Sequence, residues 1–156
     1  MQNKNDLQHY TDNTVVQWLT FSLDNETYCV EVLQVREALR FIDIAPVPGS
    51  PDHVIGIINL RGQVITIHNL RRLLGLTDKE VTDQSRIILL EVSDQIQGIL
   101  VDSVTEIVNI KTSDIENATT HGDDSPFIKG TFQHQGNLLI LLSVEELLMD
   151  HSTTEY

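Results

Sequence analysis

The side chains that could perform catalysis are scattered along this chain. Its six histidines lack the spacing of metal ligands: His9, His53, His68, His121, His134 and His151. Asp123–Asp124 and Glu145–Glu146 are neighbours in sequence, and neighbours on a strand or helix do not face one another. The sequence therefore predicts no catalytic site, no metal site and no cofactor. A small hydrolase whose histidine and carboxylate meet only in the folded chain is kept as a remote alternative.

Cysteine content and charge narrow the function classes further. The only cysteine, Cys29, excludes an internal disulfide and a multi-cysteine metal site, and its apolar neighbours predict burial. With 10 basic and 23 acidic residues, the net charge of -13 argues against binding nucleic acid or anionic lipid. The longest apolar runs have five residues, too few to cross a membrane. A polar N-terminus without a signal-peptide pattern completes the expectation of a cytoplasmic protein with no membrane insertion.

Strand patterns dominate the chain, which contains 30 valines and isoleucines but only 3 alanines. Four segments fit two hairpins: residues 15–23, 28–32, 54–60 and 63–68. The second hairpin turns at Arg61 and Gly62. Residues 45–52 hold three of the four prolines and predict an extended loop. Leucines three and four residues apart within residues 70–75 predict a short helix that ends near Gly75.

The second half of the chain repeats the first. Residues 35–37 correspond to residues 104–106, at an offset of 69, and Gly56 and Gly62 correspond to Gly130 and Gly136, at an offset of 74. The apolar helix positions also recur: Leu70, Leu73 and Leu74 become Val144, Leu147 and Leu148. A unit of about 65 residues is marginal alone, so two such units should pack together, with these helix residues in the core.

The repeat defines an expected organisation. We expect a loose arm over residues 1–14, one domain over residues 15–150 and a tail over residues 151–156. Within the domain, a first barrel repeat covers residues 15–80 and a second covers residues 86–150. A polar connector over residues 77–85 lies between them, and an exchange of strands between the barrels is left open.

Arg61 is peculiar to the first half. Residues 59–62, Asn-Leu-Arg-Gly, become Gln-His-Gln-Gly at residues 133–136. The glycine is kept because the hairpin turn needs a positive φ there, whereas the arginine is not kept. A residue required by the turn would occur in both copies. The comparison therefore suggests that Arg61 serves a purpose specific to the first half.

The segment Gly56-Ile57-Ile58-Asn59-Leu60-Arg61-Gly62 resembles the signature of CheW-like domains, the coupling proteins of bacterial chemotaxis. Other segments resemble the family in the same order: residues 35–37, 45–52, 69–75, 98–108, 127–130 and 136–148. The resemblance covers residues 15–150. The chain departs from the family at Thr66, where proline is usual, and at Asn69, where aspartate is usual. Asparagine still caps a helix well, so neither departure is expected to disturb the fold.

The resemblance implies a mainly β fold of two five-stranded SH3-like barrels packed together, with short helices. It also implies a non-enzymatic adaptor that couples the cytoplasmic tips of chemoreceptors, the methyl-accepting chemotaxis proteins, to the regulatory domain of a CheA-type histidine kinase. Such a protein is cytoplasmic and recruited to membrane receptor arrays. Another chemosensory output, such as pilus motility, gene expression or second-messenger control, is left open.

The resemblance further implies a set of partner-binding residues: Val35, Glu37, Asn59, Leu60, Arg61 and Gly62 in a receptor-facing groove, with Gly98 and Val101 on the second-barrel side. A groove that accepts a helical receptor tip needs apolar anchors and a polar group that fixes register. We expect Glu37 to pair with Arg61 and to orient its guanidinium, whose five donors suit a carboxylate or a helix carbonyl.

Overall fold

Two β-sheets make up most of the protein, which confirms the predicted mainly β class. The computed structural model describes residues 14–117 and 125–152, without the side chains of residues 149–152. In chain order the elements are β1 (Val15–Leu23), β2 (Glu26–Glu31), β3 (Val35–Arg40), β4 (Val54–Leu60), β5 (Gln63–Asn69), α1 (Leu70–Leu73), β6 (Arg86–Val92), β7 (Gln95–Val101), β8 (Ser103–Lys111), β9 (Glu116–Asn117), β10 (Ile128–His134), β11 (Asn137–Leu142) and α2 (Val144–Ser152). The arm expected over residues 1–14 and the tail expected over residues 151–156 lie outside the described residues, except for Thr14 and the end of α2.

Each sheet contains strands from both halves of the sequence. The first sheet has the strand order β8-β1-β2-β11-β10-β9, and the second has the order β3-β6-β7-β5-β4. The two halves meet at two places in each sheet. The pairs β1–β8 and β3–β6 are antiparallel, whereas the pairs β2–β11 and β5–β7 are parallel. The resemblance implied five strands in each barrel, and the sixth strand of the first sheet is the two-residue β9. Its counterpart in the second sheet is a single bridge between Ala45 and Ile57.

Three apolar clusters fill the protein. The largest, which we call the shared core, unites side chains from both sheets and both helices: Leu19, Phe21, Leu23, Tyr28, Val30, Leu70, Ile88, Leu90, Val92, Ile99, Val101, Leu142, Val144, Leu147 and Leu148. A second cluster around Trp18 and Cys29 lies within the first sheet, and a third around Ile65 and Ile67 lies within the second. Leu73 and Leu74 pack against the shared core. The core positions predicted from the two helices are therefore confirmed.

Local turn and helix chemistry also agrees with the sequence. Arg61 and Gly62 have φ angles of 50° and 83°, and Gln135 and Gly136 have 50° and 84°. Two successive positive φ values give the turn whose twist matches that of a hairpin, so the requirement for glycine is confirmed. The side chain of Asn69 accepts a hydrogen bond from the backbone N–H of Arg72 at 3.2 Å and caps α1.

The chain passes between the two sheets at two points within the described residues. The first crossing is a three-residue 3₁₀ turn, Val32–Gln34, between β2 and β3. The second is Asp102 alone, between β7 and β8. Leu33 and Asp102 are equivalent positions of the sequence repeat, at its offset of 69. Their environments differ, since Leu33 is 93% exposed and the side chain of Asp102 is 21% exposed.

Candidate functional site

Glu37 and Arg61 form the ion pair that the sequence analysis expected. Glu37 lies on β3, at one end of the strand order of the second sheet, and Arg61 lies in the turn after β4, at the other end. Nη2 of Arg61 donates a hydrogen bond to Oε1 of Glu37 at 2.7 Å. The two side chains are 69% and 37% exposed, so the pair stabilises the fold by only about 0–1 kcal/mol. The fold therefore depends little on this arginine.

The neighbouring predicted residues form a surface with this pair. Oδ1 of Asn59 accepts a hydrogen bond from the backbone N–H of Gly62 at 3.2 Å, which closes the turn that carries Arg61. Leu60 is partly buried against the apolar cluster of the second sheet. Val35, two residues before Glu37 on β3, is half-buried against the shared core. Five of the predicted residues thus lie around one hairpin and the facing strand, with Val35 at the inner edge.

Gly98 and Val101 are not at the surface, so the structure does not bring them together with the other predicted residues. Both lie in β7, the central strand of the second sheet, and their side-chain directions alternate between its two faces. A Cβ at Gly98 would lie 2.5 Å from Cδ1 of Ile67, inside the sheet's own cluster. Val101 is 1% exposed in the shared core. Because both faces of β7 are covered, both residues are packed inside the protein.

Leu33 is the surface residue that sequence reasoning missed. It lies at the first crossing, two residues before Val35, and is 93% exposed. An apolar residue at the end of a strand pattern predicts burial, so the pattern contained no signal for its exposure. The side chain is exposed because the 3₁₀ turn carries the chain from one sheet to the other at this point. Leu33 is an exposed apolar side chain four residues before Glu37 in the chain.

A buried arginine joins the two sheets elsewhere in the molecule. The side chain of Arg71 in α1 is 7% exposed. Its Nη2 donates to Oδ1 of Asp24 at 2.8 Å and to Oδ2 of Asp102 at 2.6 Å, and its Nη1 donates to the carbonyl oxygen of Thr77 at 2.7 Å. The backbone N–H of Asp24 also donates to Oδ2 of Asp102, at 2.8 Å. We call these four residues the Arg71 junction.

Arg72 points outward from the same helix. Its Nη1 donates to Oδ1 of Asp52 at 2.9 Å, and its Nη2 donates to Oδ2 of Asp78 at 2.7 Å. These bonds hold the proline-rich loop and the start of the connector against α1. The hydrogen bond from Arg71 lowers the pKa of Asp24, and the hydrogen bond from Arg72 lowers the pKa of Asp78.

Acid should weaken the fold because of these two carboxylates. A carboxyl whose pKa is lower in the folded chain stabilises the fold above its unfolded-state pKa, near 3.8, and loses that contribution as the pH falls through the folded-state value. We expect the free energy of unfolding, measured in urea, to fall between about pH 5 and pH 3. The Asp24→Asn variant should show a shallower fall over the same interval. An unchanged slope in that variant would contradict the assignment.

Contacts of His68 and His134 bear on the hydrolase alternative. His68 is buried, with its Nε2 2.7 Å from Oε1 of Gln97 and its Nδ1 3.3 Å from Nδ1 of His53. Nε2 of His134 lies 3.9 Å from Oε2 of Glu106, beyond hydrogen-bond distance. Neither contact is a histidine hydrogen-bonded to a carboxylate in a cleft, the arrangement that the hydrolase alternative requires. His9, His121 and the pair Asp123–Asp124 lie outside the described residues, as does the side chain of His151.

Three clefts lie beside the connector, and the largest, of about 700 Å³, is lined by residues 81–86 together with Arg40 and Phe41. The other two have volumes of about 250 and 220 Å³ and share Lys79, Glu80, Ser85 and Asp102. None of the three linings includes a histidine. In the part of the chain that the structure describes, no three His, Cys, Asp or Glu side chains group closely enough to hold a metal ion. Burial raises the pKa of the Cys29 thiol to about 12, in agreement with its predicted place in a core. None of the helices described is long and apolar enough to span a membrane.

Comparisons with known proteins cover most of the chain. The family model described as a CheW-like domain matches residues 17–152. The chain is 32% identical to a chemotaxis protein CheW of Helicobacter pylori, over 86% of this chain and 82% of that protein. It is 28% identical to a chemotaxis protein CheW of Bacillus subtilis, over 86% and 88% of the two chains. The crystal structure of the scaffolding protein TtCheW from Thermoanaerobacter tengcongensis superposes with a TM-score of 0.79 and 29% identity, over 86% of this chain and 92% of that one.

Proposed function

Because the chain belongs to the CheW-like family of chemotaxis scaffolds, we propose that it couples the cytoplasmic tips of chemoreceptors to the regulatory domain of a CheA-type histidine kinase. It does so as an adaptor and not as an enzyme, on the cytoplasmic side of receptor arrays. The observation that carries the proposal is the exposed Arg61, held by Glu37 at the edge of the second sheet. Glu37 orients the exposed guanidinium toward a partner, and the ion pair contributes little to the stability of the fold.

The receptor-facing surface combines this polar group with apolar anchors. Leu33 at the first crossing and Leu60 beside Arg61 supply apolar area. A helical receptor tip bound in a groove needs such anchors for affinity, while an arginine fork fixes its register. Val35 supports the surface from below, since it is half-buried against the shared core. Arg61 contributes little to folding, whereas truncating a central interface arginine typically weakens binding by about 2 kcal/mol or more.

Calorimetric titration tests the proposal with two fragments, a receptor cytoplasmic tip and a kinase fragment that contains the regulatory domain. We expect wild-type protein to bind each with a Kd of about 10 μM or tighter. Arg61→Glu should weaken receptor binding about 30-fold or more, because the substitution removes the donors and places a second carboxylate beside Glu37.

Lys111→Glu is the matched control for this experiment. It makes the same change of net charge on an exposed residue at the end of β8, in the other sheet. It should bind the receptor fragment as wild type does. Absence of binding to both fragments by the wild-type protein would contradict the adaptor role. An Arg61→Ala variant that fails to fold would contradict the site, because it would make Arg61 a structural residue.

A further inference from the structure

The two crossings between the sheets are built differently, although the sequence repeat makes them equivalent. At the second crossing, Asp102 accepts hydrogen bonds from the Arg71 side chain and from the backbone N–H of Asp24. Nζ of Lys79 lies 3.6 Å from the same carboxylate oxygen. At the first crossing, the equivalent residue is Leu33, which is 93% exposed. One crossing is therefore fastened by charged groups, and the other is open to solvent.

The Arg71 junction ties together parts of both sheets. Asp24 belongs to the turn between β1 and β2 in the first sheet, and Arg71 belongs to the helix that follows β5 of the second sheet. Asp102 is the single residue through which the chain passes from the second sheet to the first. One nitrogen, Nη2, bonds both carboxylates, at 2.8 and 2.6 Å. A planar guanidinium restrains direction as well as distance, so the junction fixes the angle at which the two sheets meet.

The junction adds directional bonds to the packing of the shared core. Apolar burial holds the sheets together, but it is non-directional. Nor does the repeated unit require the arginine for its own folding, since the repeat places the exposed Glu145 at the position equivalent to Arg71. The two carboxylates are likewise replaced, by Ser93 and Leu33. The junction is therefore specific to one side of the molecule.

We propose that Arg71 is a positioning residue that holds the two sheets in one relative orientation, and that this orientation lets the chain bind two partners at the same time. Simultaneous binding of two partners rests on the proposed function, whereas the fixed orientation of the sheets is a property of the free protein. The surface with Arg61 lies on the second sheet, and the first sheet contains most strands of the second half of the chain. An adaptor that engages partners through both sheets transmits their relative position only if the sheets do not rotate against each other.

The distance between labels on the two sheets tests whether Arg71 fixes their relative orientation. Val64 in β5 and Leu138 in β11 are equivalent in the repeat, lie one on each sheet, and are 61% and 42% exposed. Nitroxide labels on a Val64→Cys, Leu138→Cys variant react only at these sites, because Cys29 is buried and its thiol pKa is raised to about 12. Pulsed dipolar spectroscopy then reports the distribution of distances between the sheets.

We expect a single narrow distribution of label distances in the labelled parent and a broadened or shifted one in Arg71→Lys. That substitution keeps the positive charge but loses the planar guanidinium and its several donors. Arg72→Lys is the matched control, since its side chain bonds Asp52 and Asp78 rather than the first sheet, and it should resemble the parent. A folded Arg71→Lys protein with the parent's distribution would overturn the proposal. If Arg71→Lys does not fold, Asp24→Asn on the same background decides: a broadened distribution supports the proposal and an unchanged one overturns it.

Titration with both fragments tests whether this orientation lets the chain bind two partners at the same time. Arg71→Lys should bind the receptor fragment and the kinase fragment separately with wild-type affinity. Its affinity for the kinase fragment in the presence of saturating receptor fragment should fall about fivefold or more relative to wild type. An unchanged affinity in that mixture would overturn the proposal that the orientation of the sheets supports simultaneous binding. The label distances are measured without partners. They therefore test the fixed orientation of the sheets even if the proposed function is wrong.

Discussion

Gly56→Ala should lower the free energy of unfolding by about 3 kcal/mol or more, enough to unfold a protein of marginal stability. An ideal Cβ at this position would lie 2.1 Å from the carbonyl oxygen of Ala45 and 2.7 Å from its carbonyl carbon. The Ala45 backbone cannot move away freely. Its N–H donates to the oxygen of Ile57 and its carbonyl accepts from the N–H of Ile57, both at 2.9 Å.

Gly98→Ala provides the comparison, because its nearest obstacle is soft. The atom 2.5 Å from its ideal Cβ is Cδ1 of Ile67, the flexible end of a side chain. We expect a loss of about 1–2 kcal/mol for this variant, clearly smaller than for Gly56→Ala. Urea denaturation followed by the fluorescence of Trp18 measures both. An equal or smaller effect at Gly56 would show that the loop over residues 45–52 yields more easily than its hydrogen bonds indicate.

Phe21→Ala should have the largest effect among side-chain truncations, a loss of about 3–5 kcal/mol. Phe21 is 0% exposed, lies in the shared core, and stacks on Tyr28 with ring centroids 6.1 Å apart. Its removal leaves a cavity between elements of both sheets. The expected loss is about a fifth or more of the total stability of a typical domain. Leu138→Ala, at a site 42% exposed, should change stability by less than about 0.5 kcal/mol.

The two sheets should lose stability together in the Phe21→Ala variant. Trp18 reports on the first sheet by fluorescence, and amide hydrogen exchange in β5 reports on the second. Because the shared core draws on both sheets, we expect both probes to show the same loss of free energy. If the amides of β5 kept their wild-type protection while Trp18 fluorescence shifted, the sheets would be separate cooperative units and the shared core would not couple them.

Local features of this fold follow from the sequence with good accuracy. The hairpin turn at Arg61 and Gly62, the short helix before Gly75 and the cap at Asn69 each depend on a few adjacent residues. Such features follow from turn chemistry and periodicity, which act over one or two turns of chain. The pairing of Glu37 with Arg61 is also confirmed, although 24 residues separate them. That hypothesis came from the family resemblance and not from the local pattern.

Features that depend on distant strands could not be predicted in the same way. Gly98 and Val101 are buried because β7 becomes the central strand of a sheet that contains both halves of the chain. Leu33 is exposed for a related reason, since the chain leaves one sheet there and enters the other. The burial of Arg71 requires two aspartates from loops far apart in sequence. Local patterns specify which face of a strand is apolar but not which strands cover it. The roles of these residues toward partners remain proposals that the binding experiments test.

Strand exchange also determines when the protein can form during its synthesis. The hydroxyl of Thr20 in β1 bonds the backbone of Glu106 in β8, and 86 residues separate them. A ribosome that adds about 5–20 residues per second needs about 4–17 s to make that stretch. Throughout this interval the nascent β1–β2 hairpin exposes an unpaired strand edge, a target for chaperones and for wrong pairing. A chain interrupted after the connector is therefore expected to aggregate rather than to fold as an independent half of the protein.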